Sequence, residues 1–309
     1  MPRRRLPRSV RVAGLALVSM LALAGCTRAE LEDNLRFGWP TGITDEAEKM
    51  RILWSWSCVA ALAVGVLVWG LTFWASAFHR KKKDTPNDEL PRQTAYNLPL
   101  ELTYTAFPFV AIAILFYYTM VVQNDVITLD KKVDHKVEVT AFKWNWQFAY
   151  DGTEVAGSDN QMVETIGTTE EIPVLVLPAG SAVEFTLKSA DVVHSFWIPE
   201  FLYKLDVIPH GVNEDGTLKG PGAQGTNQFI VNIKEGTEGA YVGRCAELCG
   251  VYHAQMNFEL RVVSPDQYED YLAAREDGQS NAQALESIGE EPLATSTSPF
   301  DPSRTANNS

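Results

Sequence analysis

Gly243-Arg244-Cys245-Ala246-Glu247-Leu248-Cys249-Gly250-Val251-Tyr252-His253-Ala254-Gln255-Met256 brings two thiols, an imidazole and a thioether into one short stretch. Thiolate and thioether sulfur favour copper(I), imidazole suits both copper oxidation states, and methionine is a poor zinc ligand, so Cys-x3-Cys-x3-His-x2-Met points to copper. Taken as a bare pair, Cys245 and Cys249 would serve a disulfide or a structural zinc ion equally well, because the spacing is common. Upstream, Asp191-Val192-Val193-His194-Ser195-Phe196-Trp197-Ile198-Pro199 offers His194 at the end of a β-branched run, as though a strand were delivering it. Two Cys, two His and one Met exceed by one thiolate the His2Cys set with axial Met that holds a single blue-type copper. Two copper ions sharing both sulfurs would use them all.

On these residues the chain resembles subunit II of the haem-copper cytochrome c oxidases, over roughly residues 50 to 265. The resemblance implies a membrane α plus all-β protein: a two-helix transmembrane hairpin followed by a cupredoxin-like Greek-key β-barrel. It also implies a binuclear copper centre, CuA, in which Cys245 and Cys249 bridge the metals, His194 and His253 each take one, and Met256 and the Glu247 carbonyl complete the set. The Glu247 side chain would help to hold a magnesium ion shared with subunit I. Electrons would come from cytochrome c, or from the cytochrome c of a bc complex, and pass to haem a of subunit I. Oxygen reduction and most proton pumping belong to that partner, so this chain is an enzyme only as part of the complex.

Apolar residues make up 46% of the 309 positions and fall in blocks rather than evenly. Four cysteines, widely separated, argue against a disulfide framework. The formal charge is −13 although the first 25 residues carry five arginines and no acid, so the remainder is strongly acidic. Such a surface steers a basic electron carrier and also keeps a protein soluble. Nothing in it points to nucleic acid.

Residues 1–25 read as a signal peptide, with arginines 3, 4, 5, 8 and 11 before an apolar core too short to span a bilayer. Leu23-Ala24-Gly25-Cys26 resembles a bacterial lipobox, with Cys26 lipidated as a second anchor. Residues 26–51 form a polar extracytoplasmic lead-in without visible chemistry. Residues 52–78 carry no formal charge and have Trp54, Trp56 and Trp74 near their ends, which predicts a first transmembrane helix. His79-Arg80-Lys81-Lys82-Lys83 then sets residues 79–101 in the cytoplasm, so both termini face outward on the bacterial membrane. A second helix follows over 102–122 with Pro108 inside it. Glu101, seven residues before that proline, is either a helix-start acid or, by the resemblance, the mouth of a proton path into subunit I.

From Val126 the period changes to two: Val137, Val139, Val174, Val176, Val183, Phe185 and Leu187 alternate in short runs, as in antiparallel strands of a sandwich. The domain is expected over 126–265, with a last strand near 257–263. Phe142-Lys143-Trp144-Asn145-Trp146-Gln147-Phe148-Ala149-Tyr150 is unusually aromatic. Alternate strand positions would bury such a stripe, and that suits Trp146. By the resemblance Trp144 is where electrons from cytochrome c arrive. Asp191, Lys204 and Asp206 match positions near the subunit I boundary, without assignable roles. Residues 209–226 form a long Gly/Pro-rich loop with His210 on its surface, and 266–309 a short helix and then a disordered tail from Gly278. A thioredoxin-like copper-delivery protein, which also uses Cys-x3-Cys, would need one span and alternating strands and helices instead. The quinol-oxidase version of the fold lacks the copper ligands.

Overall fold

The computed structural model describes residues 30, 33–80, 86, 93–158, 161–209 and 227–299. The leader with Cys26, the basic cluster at 81–83, the loop from His210 to 226 and residues 300–309 lie outside them. The chain divides into two compact units, Met1–Trp39 with Trp54–Asn87, and Pro40–Leu53 with Asp88–Ser309.

Helix α1, Asp45–Phe78, begins with the Thr44 hydroxyl accepting the Ala47 N–H at 3.1 Å, and Asp45, Glu46 and Glu48 suit the positive end of its dipole. In the first unit Trp54 stacks on Trp39 with centroids 4.9 Å apart and donates its indole N–H to the Arg36 carbonyl. Helix α2, Leu98–Ile127, is capped by Asn97, whose side chain accepts the Leu100 N–H. Both helices are long and apolar enough to cross a membrane. They also overrun the expected spans 52–78 and 102–122: at 1.5 Å per residue α1 is on the order of 50 Å long, against ~30 Å of hydrocarbon.

Among the described residues ten strands follow: β1 His135–Phe142, β2 Asn145–Tyr150, β3 Val163–Ile166, β4 Val174–Pro178, β5 Ala182–Ser189, β6 His194–Ile198, β7 Tyr203–Val207, β8 Gln228–Asn232, β9 Gly239–Cys245 and β10 Asn257–Val263. They form two five-stranded sheets, ordered β3-β2-β1-β5-β8 and β4-β10-β9-β6-β7. Aromatic rings from both sheets fill the space between them: Phe185 stacks on Phe229, Phe196 on Phe258, and Trp146 meets Phe196 and Phe258 edge-on. This is the expected β-sandwich, with one correction. The strands are not all antiparallel, since β1 pairs with β5 and β4 with β10 in parallel. Alternation reports which face is buried and is silent about the neighbour; a chain that crosses between sheets before returning brings parallel strands together.

The expected disorder after Gly278 is a second correction. Helix α3, Pro265–Glu276, and helix α4, Asn281–Ser287, each open with a Ser…Gln capping box. Tyr271, Ala284 and Leu285 are fully buried. Beyond them the strap 290–296 lies on β10, where buried Glu259 accepts the backbone N–H groups of Thr295 and Ser296 and Arg261 reaches Glu290 and the Leu293 carbonyl. The lead-in is corrected too: Ile43 belongs to the core and Thr44 bridges Ile233, so residues 43–51 are part of the β domain and of α1.

Candidate metal centre

The end of β9 and the start of β10 close a loop around the sulfur donors. Arg244 faces Asn257 across the two strands, and the Cys245 N–H donates to the Met256 carbonyl at 3.0 Å. β6 lies beside β9 with Phe196 opposite Cys245, and the Ala246 N–H donates to the Ser195 carbonyl, which fixes His194 against the loop. Two glycines permit the close approach: a Cβ on Gly243 would sit 2.1 Å from the Phe258 ring, and Gly250 takes φ +133° under Trp144.

Cys245 and Cys249 hold their sulfurs 3.8 Å apart as free thiols, beyond disulfide bonding distance. His194 Nδ1 lies 3.9 Å from the Cys245 sulfur and His253 Nδ1 3.7 Å from that of Cys249. The Met256 sulfur is 3.7 Å from Cys249 Sγ, and the Glu247 carbonyl 3.2 Å from Cys245 Sγ. His194, Cys245, Cys249 and Met256 are buried. Sequence reading named this whole set, and the fold brings all six groups together.

Asp191 holds His194 from behind, its Oδ1 2.8 Å from His194 Nε2, which turns Nδ1 toward the sulfurs. Its other oxygen accepts the Lys143 N–H at 2.8 Å, so the same carboxylate fixes the chain leading into Trp144. Burial draws the His194 imidazole down, but Cys245 and Asp191 outweigh it and hold it above its ordinary value. Burial raises the Cys245 thiol, yet its hydrogen bonds with His194 and with the backbones of Glu247 and Ser195 bring it down to about 7. Burial and the neighbouring Cys245 charge push Cys249 up to about 12. One thiolate therefore forms readily, and the second needs a cation to replace its proton.

Trp144 donates its indole N–H to the Cys249 carbonyl at 3.3 Å and meets Tyr252 edge-on at 4.8 Å. A hollow of about 540 Å³ opens beside them, lined in part by Lys143, Thr168 and Gln255. Leu248 and Val251 stand 73% and 80% exposed on the loop, leaving an apolar rim next to a buried donor set. Trp146 is buried as expected, and it also donates to the Met256 carbonyl, which makes it a wall of the site. Glu101 lies apart on α2, where its carboxylate accepts the Asn97 N–H at 2.9 Å. Sequence reading gave no role to Asp191, although its place three residues before a ligand histidine is the available signal.

The model for the cytochrome c oxidase subunit II periplasmic domain matches residues 136–263. A protein of Nocardia farcinica named "Probable cytochrome c oxidase subunit 2" is 47% identical, covering 98% of this chain and 91% of that one. A cytochrome c oxidase subunit 2 from Corynebacterium glutamicum is 42% identical, covering 98% and 96%. The chain belongs to the cytochrome c oxidase subunit II family. Among solved structures, the periplasmic domain of subunit II of cytochrome oxidase from Bradyrhizobium japonicum is 24% identical, covering 48% of this chain and 99% of that domain, with a TM-score of 0.34. Family membership implies copper, and the donors present fit it: two thiols, two imidazole Nδ1 atoms, a thioether and a carbonyl converge, with His194, both cysteines and Met256 buried and His253 half-buried, a soft set suited to copper. Subunit II chains work inside a haem-copper oxidase, and this one carries two helices long and apolar enough to cross a membrane together with that family's β domain.

Proposed function

We propose that this chain receives electrons from cytochrome c and passes them to haem a of subunit I. The observation that carries the reading is the doubling of the donor set: two sulfurs 3.8 Å apart, each with its own imidazole Nδ1 at 3.7 to 3.9 Å. A binuclear copper centre held there supplies reversible one-electron exchange. The protein's own part is to bury most of the donor set and keep its ligands fixed, so that gaining and losing an electron requires little movement. His194 is held by Asp191, Cys245 by Met256 and Ala246 by Ser195, all through hydrogen bonds outside the donor atoms themselves.

Trp144 is the residue on which we place electron arrival, supported by its hydrogen bond to the Cys249 carbonyl and its seat beside the hollow and the apolar rim. The donor is a cytochrome c, free or held in a bc complex. The Glu247 side chain is proposed as a magnesium ligand at the subunit I boundary, since its carbonyl already lies at the cluster. Glu101 is proposed for the proton path, beside its visible task at the start of α2. Both termini are placed outside the cell membrane, with Cys26 as a lipid-bearing residue.

Copper analysis with electron paramagnetic resonance on the purified oxidase tests this reading. Two coppers per chain, with a seven-line hyperfine pattern, are expected. One copper with four lines, or zinc alone, would overturn it and return the delivery-protein reading.

A further inference from the structure

Glu46 sits in the first turn of α1 and is only 2% exposed, an unusual place for a carboxylate in a stretch that reads as polar lead-in. Three donors from two other parts of the β domain converge on it. Lys131 Nζ lies 2.8 Å from Oε1; the Asn232 side-chain amide lies 2.6 Å from the same oxygen; and the Asn232 N–H donates to Oε2 at 2.9 Å. Lys131 follows the end of α2 at Ile127, and Asn232 ends β8. One buried carboxylate thus ties the start of one apolar helix, the exit of the other and an edge strand of the sandwich. Around it, Lys49 pairs with Asp125 at 2.8 Å, Lys234 pairs with Glu48, and Lys234 N–H donates to the Ile43 carbonyl.

The exposed pairs in this group contribute little. A buried ion pair adds little net stability either, because desolvation offsets the attraction, but in some proteins it selects one register over its neighbours. Lys131 and Asn232 together satisfy both oxygens of Glu46 at one position on β8. The sandwich that bears the copper ligands is therefore set at one place relative to the α1 start and α2. An acceptor outside this chain meets the metal centre at a separation fixed by that register.

We propose that Glu46 is a positioning residue for onward electron transfer, holding the copper domain in register with the outer ends of the helices through Lys131 and Asn232. This rests on the function proposed above. The test is Glu46→Gln and Lys131→Met, singly and together, in the assembled oxidase. Electron transfer from the copper centre to the haem of the partner subunit is followed after rapid photochemical reduction, alongside KM for cytochrome c and the copper resonance. Each single variant is expected to slow internal transfer by about tenfold, as misplacement of reacting partners does, with KM and the copper spectrum unchanged. The double variant should be no slower than the singles, since both cut one contact.

Wild-type internal rates in both variants would overturn the proposal. So would an altered copper spectrum, or failure of both variants to assemble, since either would make the contact a folding element and not a spacer. Absence of the seven-line spectrum from the wild-type oxidase would instead sink the proposed function itself.

Discussion

Asp191 shows how much of this site depends on a side chain that touches no donor atom of sulfur. Its removal would free His194 to rotate and release the Lys143 backbone beside Trp144. Asp191→Ala should lower copper affinity by about 10–100-fold, the usual loss when a carboxylate behind a ligand histidine goes; competition with a chelator measures it, and Asp191→Asn should lose much less. Gly243 makes a different demand. Its hydrogen points at a phenyl ring, so Gly243→Ala should cost at least about 1–3 kcal/mol of overpacking, read as a lowered thermal midpoint, and trimming the ring with Phe258→Leu in the same chain should recover part of it. The six donor groups were legible because soft ligands at fixed spacing have few other uses. Glu46 was not, since a carboxylate in sequence gives no sign of whether it ends in water or in a protein interior, and Asp191 carried only its place three residues before a ligand histidine.

At the scale of elements, period and length identified the apolar helices, the β domain and the last strand Asn257–Val263. They failed on neighbours and on the C-terminal segment. The two parallel pairings follow from crossovers between sheets, which depend on contacts far apart in the chain. The segment after Gly278 is poor in large apolar residues, but the Ser280–Gln283 capping box and the buried Glu259–Arg261 pair hold it down. Ending the chain at Gly278 should therefore destabilise the β domain, by roughly 1–3 kcal/mol for each buried polar group left unsatisfied, whereas a disordered tail would make no difference to thermal unfolding. The same strap gives a pH dependence. Burial raises the Glu259 carboxyl, but the Ser296 backbone and Arg261 outweigh it and keep it below the ordinary range. A group lowered on folding contributes stability above its unfolded pKa and loses that contribution as pH falls through the folded value. Melting temperature should drop on the acid side, and Glu259→Gln should flatten that limb while lowering stability near neutrality.

For the whole molecule, charge and topology decide how it meets other proteins and how it is made. With a formal charge of −13, encounter with a basic cytochrome c should be steered and salt-sensitive. kcat/KM should fall as ionic strength rises, while internal transfer, already inside the complex, should not change. The sheet order carries a consequence for biosynthesis. β10 is the last strand in sequence, yet it lies between β4 and β9, and β4 joins its sheet only through it. With the β domain outside the membrane, as proposed above, a chain exported from its N-terminus would bring out His194 and both cysteines before that gap could be filled. Until Asn257–Val263 follows, β4 has no partner, the copper loop has no second wall, and Met256 has no fixed place. On the topology proposed above, the complete donor set would come together only once Asn257–Val263 had also crossed the membrane.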